Sequence, residues 1–305
     1  MKKLLALMLI FSMFFVMGCS EDDVDEFDVL VTYLEEDNYI NNMGSWILGA
    51  GVLNTGFDYT AYTVIDLRAA DAFATKSITG AINTTLTDMF AVAETATKPI
   101  LVTCYSGQTA SYAHALLRLK GYEAYVHKFG MSVEAEAPGD QWDKWTGKCS
   151  EQHADALVKT ASPALPDFDY PELDTGEEDA EDILDAKIDD AVAAWGTLLV
   201  SSGDVVAAPA NYNIANYWSE ADYLGYGHIN GSFQVTPGTL TMDENLSVFD
   251  PDGGNIFYCY TGQTAAASIA YLKVVGYDVK SIAYGFNNMN WTALSGHKWP
   301  KPTFQ

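Results

Sequence analysis

Cys104-Tyr105-Ser106-Gly107-Gln108-Thr109-Ala110 occurs a second time, almost letter for letter, as Cys259-Tyr260-Thr261-Gly262-Gln263-Thr264-Ala265; 259 minus 104 is a spacing of 155 residues. A short β-branched or aromatic run precedes each copy, Ile100-Leu101-Val102-Thr103 and Ile256-Phe257-Tyr258, and reads as a buried parallel strand. An alanine-rich run with helical periodicity follows each, Ala113 to Leu119 and Ala265 to Val275, stopped by Gly121-Tyr122 and Gly276-Tyr277. Strand, tight glycine loop and helix in that order, found twice, predict an α/β chain made of two similar units.

This geometry sets the cysteine where backbone N–H groups and the positive end of a helix dipole converge. A thiolate is stabilised there: helix N-termini bring a cysteine pKa from near 8.5 into the range of about 3.5–7.5. The same donors hold an oxyanion or a persulfide. For one copy alone, a buried apolar cysteine closing a strand is the competing reading. Packing alone does not dictate the same loop letters at the same place in two units.

Two further pieces accompany the loops. Val64-Ile65-Asp66-Leu67-Arg68, with Asp71 and Phe73, leads to Gly80-Ala81-Ile82-Asn83, and the second half carries Gly227-His228-Ile229-Asn230-Gly231-Ser232. Together with the six-residue loop, these stretches resemble the tandem-domain members of the rhodanese family of sulfurtransferases, over roughly residues 28 to 145 and 182 to 300. The resemblance implies two rhodanese-like domains, each a parallel-type central sheet flanked by helices. It implies Cys104 and Cys259 as catalytic nucleophiles. Tyr105, Ser106, Gly107, Gln108 and Thr109, and Tyr260, Thr261, Gly262, Gln263 and Thr264, are then the substrate-binding loops. Neither loop contains Arg or Lys; the tyrosine, serine and threonine hydroxyls stand in, which favours polysulfide or a protein persulfide over dianionic thiosulfate as donor. The related cysteine-phosphatase reading needs a seven-residue loop with an arginine, and threonine stands at position six here. A non-catalytic tandem module that binds a partner or carries sulfur is the alternative to an enzyme.

The chain begins Met1-Lys2-Lys3, then an uncharged, mostly apolar run from Leu4 to Met17 and Gly18-Cys19-Ser20. That run is shorter than the ~20 residues a membrane-spanning helix needs and reads as an export signal. Val16-Met17-Gly18-Cys19 resembles the bacterial lipobox, which implies lipidation of Cys19, and Ser20 after it implies the outer membrane, facing the periplasm. The expected division is a signal peptide over 1–19, an acidic tether over 20–27, a first domain over 28–149, a linker over 150–181 and a second domain over 182–305. The linker carries Pro163, Pro166, Pro171 and Glu177-Glu178-Asp179.

With 41 acidic against 16 basic residues, a formal charge of −25 argues against nucleic acid and against peripheral binding to anionic lipid. It also opposes the approach of anions, which the loop N–H groups must overcome locally, screening having a length near 8 Å at physiological salt. Small sulfur anions and thiol or persulfide carriers are the implied partners. No cofactor motif, metal cluster or Cys-x-x-Cys is present; apart from Cys19 the cysteines are Cys104, Cys149 and Cys259.

Elsewhere the pattern predicts helices over 27–39 and 182–199, an irregular stretch over 41–56, and strands over 62–67, 123–129, 212–218 and 279–284. Asp66 and Arg68 read as a structural ion pair. Trp142, Trp145, Trp291 and Trp299 read as packing residues. His114, ten residues past Cys104, reads as a plain helix residue, and His228 as a capping or core hydrogen bond. Aligning Gly80 with Gly231 sets Tyr217 opposite Asp66 and Ser219 opposite Arg68, while Gly130 matches Gly285 at the 155 spacing.

Overall fold

The computed structural model describes residues 24–36, 39, 43–135, 140 and 143–300. The strands are β1 (Ile47–Leu48), β2 (Thr63–Asp66), β3 (Ile82–Asn83), β4 (Ile100–Thr103), β5 (Ala124–His127), β6 (Leu157–Val158), β7 (Leu199–Val200), β8 (Asn213–Tyr217), β9 (His228–Ile229), β10 (Phe233–Val235), β11 (Asn255–Tyr258) and β12 (Val279–Ile282). The helices are α1 (Glu26–Glu36), α2 (Ala70–Thr75), α3 (Met89–Thr95), α4 (Gln108–Leu119), α5 (Ala180–Ala194), α6 (Ser202–Ala207), α7 (Glu220–Tyr226) and α8 (Gln263–Val274).

Two five-stranded sheets form, in the orders β1-β5-β4-β2-β3 and β7-β12-β11-β8-β10. Element for element the second repeats the first, and every pairing within both is parallel. The α/β class with parallel sheets flanked by helices is therefore as the duplicated loop implies. Each cysteine loop leaves the middle strand of its sheet, β4 or β11, and these two strands are buried along their whole length. Such strands read as continuous apolar runs because helices cover both faces.

The helices that follow the loops, α4 and α8, pack directly on each other. Ala110, Ala113 and Ala115 on one, and Ala265, Ala266, Ala267 and Ala270 on the other, have no exposed surface. Small side chains there let the backbones approach. Leu116, Leu117, Ile269 and Leu272 belong to one apolar core that runs through both halves. At about 1.5–3 kcal/mol for each such side chain, this junction is core rather than a loose hinge. Helix α5 lies on α8 and α1 on α5, and Tyr112 Oη donates to the Ala191 carbonyl at 2.7 Å.

The structure refines the sequence expectations in three places. The stretch over 41–56 is not wholly irregular: β1 pairs with β5 as an edge strand, two residues being too short to show a period. The stretch from 150 to 181 is stitched down, through Ser150 N to Asn287 O (3.1 Å), the antiparallel β6–β9 pair, and Glu26, whose carboxylate accepts from Thr175 and Gly176. The third concerns register. Thr63–Asp66 pairs with Ile100–Thr103 as Asn213–Asn216 pairs with Asn255–Tyr258. Asn216 thus stands where Asp66 does, and Trp218 where Arg68 does, one residue before the Tyr217 and Ser219 expected. The extra residue enters past the strand, where seven-residue α7 replaces six-residue α2, so counting back from the glycine overshoots. The expectations for residues 1–19, Cys19 and Trp142 lie outside the described residues.

Candidate functional site

Each loop turns from strand to helix through a glycine in the left-handed region, Gly107 at φ 86° and Gly262 at φ 74°, which stands at the helix N-cap. The turn folds the cysteine back under the first helical turn. Cys104 Sγ accepts from Gly107 N at 3.1 Å and Ala110 N at 3.4 Å, and Cys259 Sγ accepts from Ala265 N at 3.3 Å. The backbone after β5 and β12 clamps the loops from the other side. Met131 N donates to Cys104 O and Ser132 N to Tyr105 O; Phe286 N and Asn287 N do the same for Cys259 and Tyr260.

The two glutamines have a task the sequence did not reveal. Gln108 Oε1 accepts from Tyr284 N (3.1 Å) and Gln263 Oε1 from Phe129 N (2.7 Å), so each loop fastens itself to the opposite half. Gln108 and Gln263 are therefore cross-ties between the two loops first, although Gln263 also lines the cavity described next. Phe129 and Tyr284 both sit at φ 63°, a related pair that the 155 spacing predicts.

A cavity of about 430 Å³ opens at Cys259. Tyr260, Thr261, Gln263 and Thr264 of the loop line it, with Tyr217, Pro237, Gly238 and His297 from the same half. Met43, Gly44, Ser45, Ile47 and Lys128 come from the other half. Tyr260 is not a free hydroxyl: it stacks on Trp218 (4.7 Å) and on His297 (4.5 Å), and its Oη donates to Asp222 Oδ2 at 2.5 Å. Thr261 Oγ1 accepts from Gln263 N at 3.3 Å.

Around Cys104 the setting is ionic instead. Asp66 and Arg68 form a buried fork, Tyr105 lies 5.8 Å from the Arg68 guanidinium and 4.9 Å from Lys144 Nζ, and Trp145 Nε1 donates to Ser106 O at 3.0 Å. Thr109 is partly exposed at the start of α4.

His114 and His228 keep to structural places. His114 Nδ1 lies 2.6 Å from Ser111 O inside α4, and burial pushes its pKa down to about 3. His228 stacks on Tyr223 with Nδ1 3.1 Å from the Tyr223 carbonyl, and burial lowers it also. Trp145 and Trp299 are buried and stack on each other at 5.6 Å, whereas Trp291 is only partly covered.

Both catalytic candidates differ from expectation in their acidity. Burial pushes the Cys104 and Cys259 thiols up, and the loop N–H groups only partly offset it. Burial of the sulfur penalises the thiolate more than the loop donors reward it. A raised pKa means that the thiolate fraction grows with pH. Alkylation of Cys259 by neutral iodoacetamide should therefore keep climbing, about tenfold per pH unit, through the ordinary thiol pKa near 8.5. A rate that levels off below pH 7.5 would contradict this.

The residues that sequence reasoning missed at the cavity are Lys128, Tyr217, His297, Met43, Gly44, Ser45 and Ile47. Only Lys128 left a trace: it precedes the matched Phe129-Gly130, and Ala283 precedes Tyr284-Gly285.

A parallel α/β sheet whose middle strand delivers a cysteine into a ring of N–H donors defines a class of cysteine-loop proteins. Within it, residues 51–133 match the Rhodanese-like domain family, a span that includes the Cys104 loop. No curated protein sequence matches the chain. Among solved structures, a rhodanese-related protein from Thermoplasma volcanium matches at 22% identity and TM-score 0.25, over 28% of this chain and 85% of that one. A thiosulfate sulfurtransferase from Pseudomonas aeruginosa matches at 15% and 0.30, over 92% of this chain and 49% of that one. A probable thiosulfate sulfurtransferase matches at 14% and 0.27, over 79% and 98%.

Proposed function

We propose that the protein is a sulfurtransferase that moves a sulfane sulfur through a cysteine persulfide. The observation that carries this reading is the Cys259 loop itself: a sulfur at the start of α8, facing backbone N–H, at the wall of a cavity. The Cys259 thiolate attacks the outer sulfur of thiosulfate, a polysulfide or another persulfide; the donor's S–S bond breaks and sulfite or the shortened sulfide leaves with the electron pair. A terminal persulfide is more acidic than a thiol, so N–H donors that fall short of ionising the empty cysteine suit the loaded one. A thiol or cyanide then takes the outer sulfur and returns the thiolate. Cys104 repeats the loop and is the second candidate carrier.

We propose further that the chain is a lipid-anchored protein of the bacterial cell envelope, held through Cys19 on the periplasmic side of the outer membrane, with the division into signal, tether, two domains and linker given above. Among the described residues no helix is long and apolar enough to cross a membrane.

One set of intact masses tests both proposals. The soluble domain pair, before and after polysulfide or thiosulfate, should gain one or two sulfur atoms of about 32 Da each as persulfide. The gain should be reversed by cyanide and lost site by site in Cys104→Ala and Cys259→Ala. Full-length protein taken from membranes should carry acyl mass that Cys19→Ala lacks. No sulfur gain from either donor would leave a binding module that keeps its loops for structural reasons.

A further inference from the structure

We infer that Lys128 is the anion-recognising residue of the Cys259 site, and that this site takes small organic sulfur compounds bearing a carboxylate or sulfonate group. The inference deepens the sulfur-transfer reading and rests on it for the nature of the substrate.

Lys128 follows β5 in the first half, yet lines the cavity of the second-half cysteine. Its ammonium is partly desolvated, and burial lowers its pKa. Among the described residues no carboxylate pairs with it; its ammonium lies 5.6 Å from the centre of the Phe129 ring. In a chain with 41 acidic residues, a half-buried cation in the wall of the same cavity as a reactive sulfur and without an acidic partner is a site short of its counter-ion. Part of the remaining wall suits a carbon skeleton: Met43, Ile47, Tyr217 and Pro237 are apolar or aromatic. A volume of about 430 Å³ lies in the range of pockets for small organic ligands, roughly 300–1,000 Å³, and exceeds what an inorganic sulfur anion fills. The repeat supplies an internal control. Phe129 and Gly130 match Tyr284 and Gly285 in backbone conformation, so uncharged Ala283 stands where Lys128 does.

With Cys259 loaded, the thiolate of the bound acceptor attacks the outer sulfur of Cys259–S–SH. The Cys259 S–S bond breaks, the acceptor's new S–S bond forms, and Cys259 leaves as a thiolate, so no external oxidant or reductant is required. Lys128 holds the far, anionic end of the acceptor and takes no proton.

Iodoacetate and iodoacetamide alkylate the same thiolate and differ in the carboxylate, so their rate ratio cancels thiol acidity and cavity opening. Read by peptide mass at Cys259, the ratio is expected to fall on the order of tenfold in Lys128→Met. It should be retained in Lys128→Arg, fall with added salt, and stay unchanged at Cys104. On sulfur-loaded protein, 3-mercaptopropionate should take sulfur from Cys259 at a lower KM than 2-mercaptoethanol with similar kcat, and Lys128→Met should erase the difference. An unaltered alkylation ratio in Lys128→Met, or equal changes at Cys104 and Cys259, would overturn the inference. Failure of Cys259 to take up sulfur would overturn the transfer reading alone, since the alkylation ratio still decides the role of Lys128.

Discussion

Arg68→Ala is expected to destabilise the folded chain by about 3–5 kcal/mol, the cost of leaving one member of a buried ion pair alone. Asp66 is fully buried and Arg68 nearly so. The guanidinium grips the carboxylate through Nε to Oδ1 at 3.0 Å and Nη2 to Oδ2 at 2.7 Å, and Nη2 also donates to Lys76 O at 2.6 Å. Removing the arginine strands a carboxylate that water cannot reach. Removing both charges is a different matter, because a buried pair exchanged for neutral side chains of similar volume is often nearly neutral. The second half is a natural example, with Asn216 and Trp218 at these positions. Asp66→Asn with Arg68→Met should therefore recover most of the loss, leaving a deficit of about 1–2 kcal/mol for the lost bonds. Urea denaturation of the three proteins reads this directly. A double variant as unstable as Arg68→Ala would show that the arginine's packing and its bond to Lys76, rather than the ion pair, set the cost. Since the pair lies beside Tyr105, sulfur loading at Cys104 should suffer in Arg68→Ala while loading at Cys259 continues.

Gly285→Ala should cost roughly 2–5 kcal/mol and disable the Cys259 loop. Gly285 sits at φ 53°, and a left-handed non-glycine residue costs about 1–2 kcal/mol. A Cβ there would lie 2.4 Å from the Cys259 carbonyl oxygen, 2.6 Å from Gly262 N and 3.0 Å from Thr261 N. These are backbone atoms of the Cys259 loop and cannot swing away as a side-chain end would. Overpacking of this kind adds about 1–3 kcal/mol. The strain is relieved only by moving the loop, which parts Sγ from Ala265 N. Gly296→Ala, with nothing within 4 Å of its would-be Cβ, is the control and should be close to neutral. Thermal melts and the alkylation rate of Cys259 measure both consequences; a Gly285→Ala protein that melts and alkylates like wild type would refute the close-approach argument.

Much of the architecture was legible because it is local. Ile100 to Thr103 and Asn255 to Tyr258 read as buried strands from their side chains, and Gly107 and Gly262 mark the only residue type that enters a helix from the left-handed region without strain. The place of Trp145 and Trp299 in the core and of His114 in a helix followed from the same patterns. The two-residue strands β1 and β7 were not legible, having too few residues to show a period.

What remained hidden concerns groups brought together from distant parts of the chain. Gln108 and Gln263 looked like substrate-loop residues because nothing local says that Tyr284 N and Phe129 N await them. Tyr260 looked like a free hydroxyl, and Asp222 occupies it. The thiol acidity was misread for a related reason: the N–H donors are local and visible in the motif, whereas the burial that outweighs them comes from a core assembled from both halves.

By itself the sequence determined that the chain is an α/β repeat with a cysteine at the turn from strand to helix in each unit, because strand periods, alanine-rich helices and glycine turns are properties of neighbouring residues. Only the tertiary structure decided that the two units share one core through α4 and α8, that their loops are cross-tied by glutamines, and that a lysine of the first unit lines the cavity at the cysteine of the second. Those facts depend on which surfaces meet. The glutamine ties join residues 134 and 176 positions apart, and no local pattern records them.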